Sequence, residues 1–305
     1  MNKLTGLIAA TFTPMKQDGM VHLQPIPGIV EMLVKNGVKG LYVCGSTGEG
    51  PSLTIKEREQ VAQAYIEAVQ GRIPVVVQVG HNCLEDARHL AKHAASVGAD
   101  AISAVPPSYF IPEGVAALVE TLARITDAAH ETPFYYYHIP RLSGVSLDVP
   151  AFLQAAKERI PSLAGVKFSC RDIEVMQQSL AFENGRYNIL FGVDEMLLSG
   201  VAAGCDGAVG STYNFIAPLY LQIINDFANG NLAAAQAGQL KAAQLIEVIL
   251  RYHGLSGLKE AMAFTGMPCG PPRLPLTPLT DVERNRMREE LNKLNFGQFA
   301  CREIA

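Results

Sequence analysis

The chain has 305 residues, of which 49% are hydrophobic and 18% are charged, so it has the composition of a folded globular protein rather than a disordered one. Its 25 basic and 29 acidic residues give a net charge of -4, and the basic residues are scattered, which argues against a nucleic-acid or anionic-membrane partner. A small-molecule partner is therefore expected.

The first predicted element is the apolar run GLIAATF, which begins at Gly6. Polar and small residues interrupt it and Pro14 follows, so we interpret it as a buried strand rather than a secretory signal. A membrane-spanning helix needs about 20 apolar residues, and no later stretch approaches that length. The six cysteines form no C-x-x-C pair, which predicts free buried thiols. A cytoplasmic protein is expected.

Short apolar runs alternate with amphipathic helical stretches up to about residue 230. The first helix with clear ends begins at the capping box Thr54 to Glu57 and stops at Gly71. Eight apolar runs separated by helices predict an α/β fold with a parallel sheet, and specifically a (β/α)8 TIM barrel over residues 1–230. A doubly wound open sheet is the alternative, although no G-x-G-x-x-G motif follows the first run. The runs are GLIAATF, GLYVCG, IPVVVQVG, AISAVPP, PFYYYHIP, LAGVKFS, YNILFG and GAVGST.

Residues 231–305 show only helical patterns around a proline-rich strap at residues 268–278. The first of these helices has a stripe of leucine and isoleucine, and the last begins at the capping box Thr280 to Glu283. We expect a C-terminal helical appendix packed on the barrel. The residues of the stripe are Leu232, Leu240, Leu245, Ile246 and Ile249.

The pair His89 and His93 has the spacing of two metal ligands on one helix face. The residues between them lack the glutamate of the H-E-x-x-H motif, so a solvated helix face is the preferred interpretation. We expect neither a metal nor another cofactor.

Polar residues at the ends of five predicted strands indicate where chemistry would occur. In a (β/α)8 barrel the carboxyl ends of the strands form the active site, so these residues are expected to meet at one mouth. They lie in GSTGEG after the second strand, YYYHIP at the fifth, GVKFS in the sixth, GVDE after the seventh and GSTYN after the eighth.

Lys167 stands alone in the apolar run AGVKFSC. Burying an amine costs desolvation energy and lowers its pKa, which makes a neutral nucleophile able to form a Schiff base with a ketone. The alternative is a lysine whose stem packs on apolar neighbours while its ammonium reaches water or a carboxylate. Lys39 precedes its strand and is expected at the opposite end of the barrel.

The loop GSTGEG and the strand FYYYHIP supply candidate partners for this amine. Ser46 and Thr47 lie among glycines that let the backbone approach an anion, and without the lysine of a P-loop a carboxylate is a better guest than a phosphate. A plain turn is the alternative. Strand alternation sends Tyr135 and Tyr137 to one face and Tyr136 to the other, and Tyr137 lies nearest the strand end, where a proton could be transferred.

Four motifs in order, Gly-Ser-Thr-Gly-Glu, Tyr-His-Ile-Pro, Gly-Val-Lys and Gly-Val-Asp-Glu, resemble those of the pyruvate-dependent class I (Schiff-base) aldolase superfamily. The resemblance extends over about residues 4–215. It implies a cofactor-free carbon-carbon lyase in which Lys167 forms an imine with pyruvate, Ser46 and Thr47 hold the pyruvate carboxylate, and Tyr137 moves protons. It also implies that Tyr109, in PPSYF, reaches a neighbouring subunit's site, so a homotetramer is expected.

The same resemblance implies a sugar-acid substrate, with reversible cleavage of N-acetylneuraminate to N-acetylmannosamine and pyruvate. The matching positions that would contact the polyhydroxylated chain are Ser169, Gly192, Asp194, Glu195 and Ser211. Adjacent carboxylates suit vicinal hydroxyls, although a solvated acidic loop is the alternative.

The relative dihydrodipicolinate synthase carries an arginine five positions after the fifth-strand tyrosine, where this chain has Leu142. Arg141 is one position earlier and is expected to point elsewhere, so a dicarboxylic product is disfavoured. Aldolases of 2-keto-3-deoxy sugar acids, a dihydrodipicolinate synthase-like enzyme and a noncatalytic sugar-binding barrel are the alternatives left open. A metal-dependent barrel hydrolase or aldolase is a further alternative, for which the sequence offers no convincing ligand set.

Overall fold

Parallel strands close into a barrel in the computed structural model, which describes residues 3–301. Each strand pairs with the next along the chain, and the last pairs with the first through the register Gly6 to Gly207. The predicted (β/α)8 barrel is confirmed. The strands are β1 (Gly6–Ala10), β2 (Gly40–Val43), β3 (Val75–Gln78), β4 (Ala101–Ala104), β5 (Phe134–His138), β6 (Leu163–Phe168), β7 (Asn188–Phe191) and β8 (Gly207–Gly210).

Helices follow the strands and cover the barrel. The predicted capping box is present, because Thr54 Oγ1 accepts the Glu57 amide and the Glu57 carboxylate accepts the Thr54 amide. Among residues 3–301, no helix combines the length and apolar character needed to cross a membrane. The helices are α1 (Ile26–Lys35), α2 (Ile55–Val69), α3 (Leu84–Ser96), α4 (Val115–Thr126), α5 (Pro140–Ser143), α6 (Val149–Arg159), α7 (Ile173–Ala181), α8 (Leu197–Ala202), α9 (Tyr213–Ala228), α10 (Leu232–Arg251), α11 (Leu255–Ala263), α12 (Asp281–Lys293) and α13 (Phe296–Phe299).

Strand alternation divides the buried side chains into two layers. Tyr135 and Tyr137 belong to the barrel interior, whereas Tyr136 lies among the helices with its ring centroid 4.6 Å from that of Phe152. The predicted alternation in β5 is therefore confirmed. Interior space is limited: a Cβ on Gly165 of β6 would overlap the Asn188 carbonyl, so only glycine fits there.

The C-terminal helices pack on the barrel as predicted, with α10 lying along α9. Leu245 and Ile249 are buried, but Leu232 and Leu240 are exposed, so the predicted stripe was wrong for these two residues. Two residues turn a helix by about 200°, which puts Leu240 on the side opposite the buried Ala242. The inward face of α10 uses small alanines where it approaches α9, and this close packing was not apparent from hydrophobicity alone.

Candidate active site

Lys167 projects into the barrel interior near the carboxyl end of β6. Its Nζ lies 3.5 Å from the ring centroid of Tyr42 and 4.0 Å from that of Tyr137, which is the register partner of Lys167 in β5. The residue is 3% exposed. Burial holds the pKa of the amine well below its usual value, and the Asp194 carboxylate opposes this shift only in part. The lowered pKa increases the fraction of the amine that is neutral and therefore nucleophilic.

Tyr137 faces the same space as the amine. Its hydroxyl lies 3.4 Å from Ser46 Oγ, and its ring packs edge-on against Tyr42 with centroids 5.6 Å apart. Burial raises the pKa of Tyr137, while hydrogen bonds with Ser46 and Ser169 lower it. A phenol with these hydroxyl neighbours can give and take a proton beside the Lys167 amine.

The loop after β2 brings its small residues close to the nucleophile. A Cβ on Gly45 would lie 2.7 Å from the Tyr42 ring and 4.0 Å from Lys167 Nζ, so a side chain there would displace Tyr42. The loop is closed by hydrogen bonds from the Gly50 amide to the Gly45 carbonyl and from the Glu49 amide to the Ser46 carbonyl, both 3.1 Å. Ser46 is half-buried, so it can reach both Tyr137 and a ligand.

The two adjacent carboxylates after β7 have different surroundings. Asp194 is buried, and its Oδ2 accepts hydrogen bonds from the Thr212 amide at 2.8 Å and the Thr212 hydroxyl at 2.6 Å, with Ser211 Oγ at 3.5 Å. Burial raises the pKa of Asp194 to about 6. Glu195 lies nearer the surface and pairs with Arg171 Nη2 at 2.7 Å. Asp194 is therefore a fixed interior group rather than part of a solvated loop.

Ser169 and Gly192 form a contact between the ends of β6 and β7. A Cβ on Gly192 would overlap Ser169 Oγ, so the absence of a side chain at Gly192 leaves room for the serine hydroxyl. The Ser169 amide donates to the His138 carbonyl at 2.8 Å, which fixes the serine beside β5. Both predicted substrate contacts thus lie at the mouth that holds Tyr137.

Tyr109 is the one predicted catalytic residue that lies apart from this cluster. It belongs to the loop after β4, is 79% exposed, and packs edge-on against the ring of Phe110 with centroids 5.0 Å apart. Its backbone amide donates to Asn82 Oδ1 at 3.3 Å. Within a single chain, Tyr109 is a surface residue.

The sequence pattern of the dihydrodipicolinate synthetase family matches residues 3–294. The chain belongs to this family. The superfamily resemblance that the four motifs indicated is therefore confirmed.

Several proteins similar in sequence to this chain are named as one specific enzyme. The N-acetylneuraminate lyase of Rattus norvegicus is 40% identical over 302 residues, which cover 97% of this chain and 94% of that protein. N-acetylneuraminate lyase A of Xenopus laevis is 43% identical over 279 residues, covering 90% of this chain and 91% of the relative. The solved N-acetylneuraminate lyase of Proteus mirabilis is 40% identical, covers 97% of this chain and 100% of that chain, and superposes with a TM-score of 0.94.

Three residues of this family member's site were not singled out from the sequence. Tyr42 lies under the amine, and its hydroxyl donates a hydrogen bond to Ser103 Oγ at 3.0 Å. Thr212 donates to Asp194 and orients it. Arg171 pairs with Glu195. Alternation in GLYVCG could have placed Tyr42 inside the barrel. Arg171 offered no signal, because its contact with Glu195 depends on how the loops after β6 and β7 meet.

A possible ligand cluster lies away from the family site, at the start of α3. The side chains of His81, Cys83 and Asp86 bring ligand-type atoms within 4.8 Å of one another. Cys83 is exposed, so the prediction of a buried thiol was wrong for this residue. His81 Nδ1 already accepts the Cys83 amide at 3.0 Å, so its lone pair is used within the protein and we assign no metal to the group. His89 pairs with Glu59 on an exposed surface, as expected for a solvated helix face.

The raised pKa of Asp194 predicts a pH-dependent stability effect. Its folded-state pKa of about 6 exceeds the usual value of 3.8, so protonation favours the folded state at low pH and this contribution is lost as pH rises through about 6. Asp194→Asn should raise the free energy of unfolding at pH 7.5 by up to about 3 kcal/mol. Urea unfolding from pH 4.5 to 7.5 measures the difference from wild type, which should grow with pH; a difference independent of pH would contradict the assignment.

Proposed function

We propose that the protein catalyses the reversible aldol cleavage of N-acetylneuraminate to N-acetylmannosamine and pyruvate through an imine on Lys167. The observation that carries this proposal is the buried Lys167 amine between Tyr42 and Tyr137, with the Ser46 hydroxyl beside Tyr137. The names of the relatives that align over nearly the whole chain support the choice of substrate.

The chemistry follows from the proposed imine. The neutral amine attacks the C2 carbonyl of the open-chain sugar acid, and Tyr137 gives its proton to the departing water as the imine forms. The resulting phenolate takes the proton of the C4 hydroxyl, the C3–C4 bond breaks towards the imine, and the aldehyde N-acetylmannosamine leaves. Tyr137 then returns this proton to the enamine at C3. Water adds to the resulting imine and reprotonates Tyr137, and hydrolysis releases pyruvate and restores Lys167.

The polar residues around the amine divide into two binding groups in this proposal. Ser46 and Thr47 hold the carboxylate of the pyruvate unit. Asp194 and Glu195 accept hydrogen bonds from the hydroxyls of the sugar chain, because an ionised carboxylate has two acceptor oxygens and no donor. The second group is completed by Ser169, Gly192 and Ser211.

A dihydrodipicolinate synthase-like reaction is disfavoured by the short helix α5. Leu142 occupies the position of the expected arginine and is 57% exposed, and the neighbouring Arg141 is also exposed. A leucine cannot bind the second carboxylate of a dicarboxylic product.

A panel of 2-oxo sugar acids tests reaction and substrate together. Pyruvate release from N-acetylneuraminate should have the highest kcat/KM in a coupled lactate dehydrogenase assay, and EDTA should leave the rate unchanged because no step uses a metal. Release only from 2-keto-3-deoxy acids would assign the alternative aldolase activity. Binding of N-acetylneuraminate without pyruvate release from any member would indicate a sugar-binding barrel.

We further propose a homotetramer in which Tyr109 of one chain reaches the site of another. A group of exposed apolar side chains near the barrel mouth supports an interface there, since large patches of this kind are usually covered. Sedimentation should give four times the 32.8 kDa mass of one chain. A fully active monomer would overturn this proposal. The group consists of Tyr109, Phe110, Ile111 and Leu142.

A further inference from the structure

A buried ion pair connects the loop after β2 to the C-terminal helices. Lys259 of α11 places its Nζ 2.6 Å from Glu49 Oε1, and the side chains are 2% and 1% exposed. The same Nζ donates to the Thr13 carbonyl at 3.1 Å and the Pro271 carbonyl at 3.0 Å. All three donors of the ammonium therefore have acceptors, which is the condition for keeping a charge this deeply buried.

Glu49 is held at both carboxylate oxygens. Its Oε2 accepts a hydrogen bond from the Arg273 amide at 2.7 Å, so the proline-rich strap at residues 268–278 also contacts the loop. Glu49 has φ of 55° and ψ of 27°, a left-handed conformation that is unfavourable for a residue with a side chain. The two carboxylate contacts and the amide bond to the Ser46 carbonyl restrain Glu49 in this conformation.

This fixed residue closes the turn that carries the candidate carboxylate-binding hydroxyls. The Glu49 amide donates to the Ser46 carbonyl at 3.1 Å, so Ser46 and Thr47 lie within the turn. Thr13 holds the turn from another side, because its Oγ1 donates to the Gly48 carbonyl at 2.6 Å while its own carbonyl accepts from Lys259. A shift of Lys259 would therefore move the turn through two contacts.

We propose that Lys259 and Glu49 are positioning residues for the pyruvate carboxylate, through which the C-terminal helices set the place of Ser46 and Thr47. The inference rests on two parts of the proposed function, that Lys167 forms an imine with pyruvate and that Ser46 and Thr47 hold its carboxylate. A buried ion pair adds little net stability compared with apolar groups of similar size, so its effect is expected mainly in the geometry of the turn.

The test is borohydride trapping of the Lys167 imine at increasing pyruvate concentration. The variants are Glu49→Gln, Lys259→Met and the double variant, which removes both charges and remains measurable if the single variants fail to fold. The matched control is Glu260→Gln, because Glu260 neighbours Lys259 on α11 but pairs with Arg284, at 2.9 Å, instead of the loop. Circular dichroism measures the folded fraction of each protein.

The variants should raise the half-saturating pyruvate concentration by about tenfold to a hundredfold, while trapping at saturating pyruvate remains at Lys167. The control should match wild type. Wild-type half-saturation in the folded double variant would overturn the positioning role, even if its melting temperature fell. Absence of trapping in wild type would instead overturn the proposed function, and this inference with it.

Discussion

Replacing Lys167 with methionine should lower pyruvate release from N-acetylneuraminate by about 10⁴-fold or more, because the imine cannot form without the amine. Borohydride with pyruvate should label wild type at Lys167 and leave the variant unlabelled. The fold should persist, with a melting temperature equal to or above that of wild type, since the variant no longer buries an amine that is 3% exposed.

Lys39→Met is the matched control for this experiment. Lys39 is an exposed lysine that directly precedes β2, at the opposite end of the barrel, so its loss should leave both release and labelling unchanged. Labelling of Lys167→Met by pyruvate would place the nucleophile elsewhere.

The lowered pKa of Lys167 also fixes the direction of the pH dependence. The amine is protonated below that pKa and cannot attack, so the rate of imine formation should fall as pH falls through it. Single-turnover trapping at fixed pyruvate concentration measures this profile.

Tyr137→Phe should lower kcat by about 10²-fold to 10⁴-fold, because the variant lacks the hydroxyl that transfers protons at the imine and at the C4 hydroxyl. The phenylalanine ring keeps the edge contact with Tyr42, whose centroid lies 5.6 Å away, so the fold should be retained. Steady-state kinetics and trapping with pyruvate measure the two steps separately.

Tyr135→Phe is the matched control on the same strand and face. Tyr135 donates to Asn188 Oδ1 at 3.0 Å, away from the amine, so this variant should lose about 1 kcal/mol of stability and keep its kcat. Equal losses of kcat in both variants would show that the effect is general packing rather than proton transfer by Tyr137.

The barrel was predictable because each of its signals is local. Alternation in FYYYHIP assigned Tyr135 and Tyr137 to the interior, and a capping box located the start of α2. Motif order supplied the candidate site residues around Lys167. Their roles, like the predicted division of the chain at residue 230, remain predictions.

The remaining parts of the site depend on contacts between distant segments. Arg171 pairs with Glu195, and Lys259 pairs with Glu49 across 210 positions of the chain. No pattern within the segment that holds one partner could therefore predict the other partner. The exposure of Leu240 was missed for a related reason, because hydrophobicity does not state which helix face finds a partner.

The sequence by itself determined the eight strand-helix units, the single lysine within an apolar run, and the order along the chain of the polar residues that end the strands. These features follow from short-range periodicity and residue chemistry. The tertiary structure alone decided that Tyr42 lies under the amine and that Asp194 is buried against Thr212. It also decided that the C-terminal helices reach the loop of Ser46 through Lys259. The reason is physical: burial and hydrogen-bond geometry, which set the pKa values of Lys167 and Asp194, exist only once separate strands and helices are packed together.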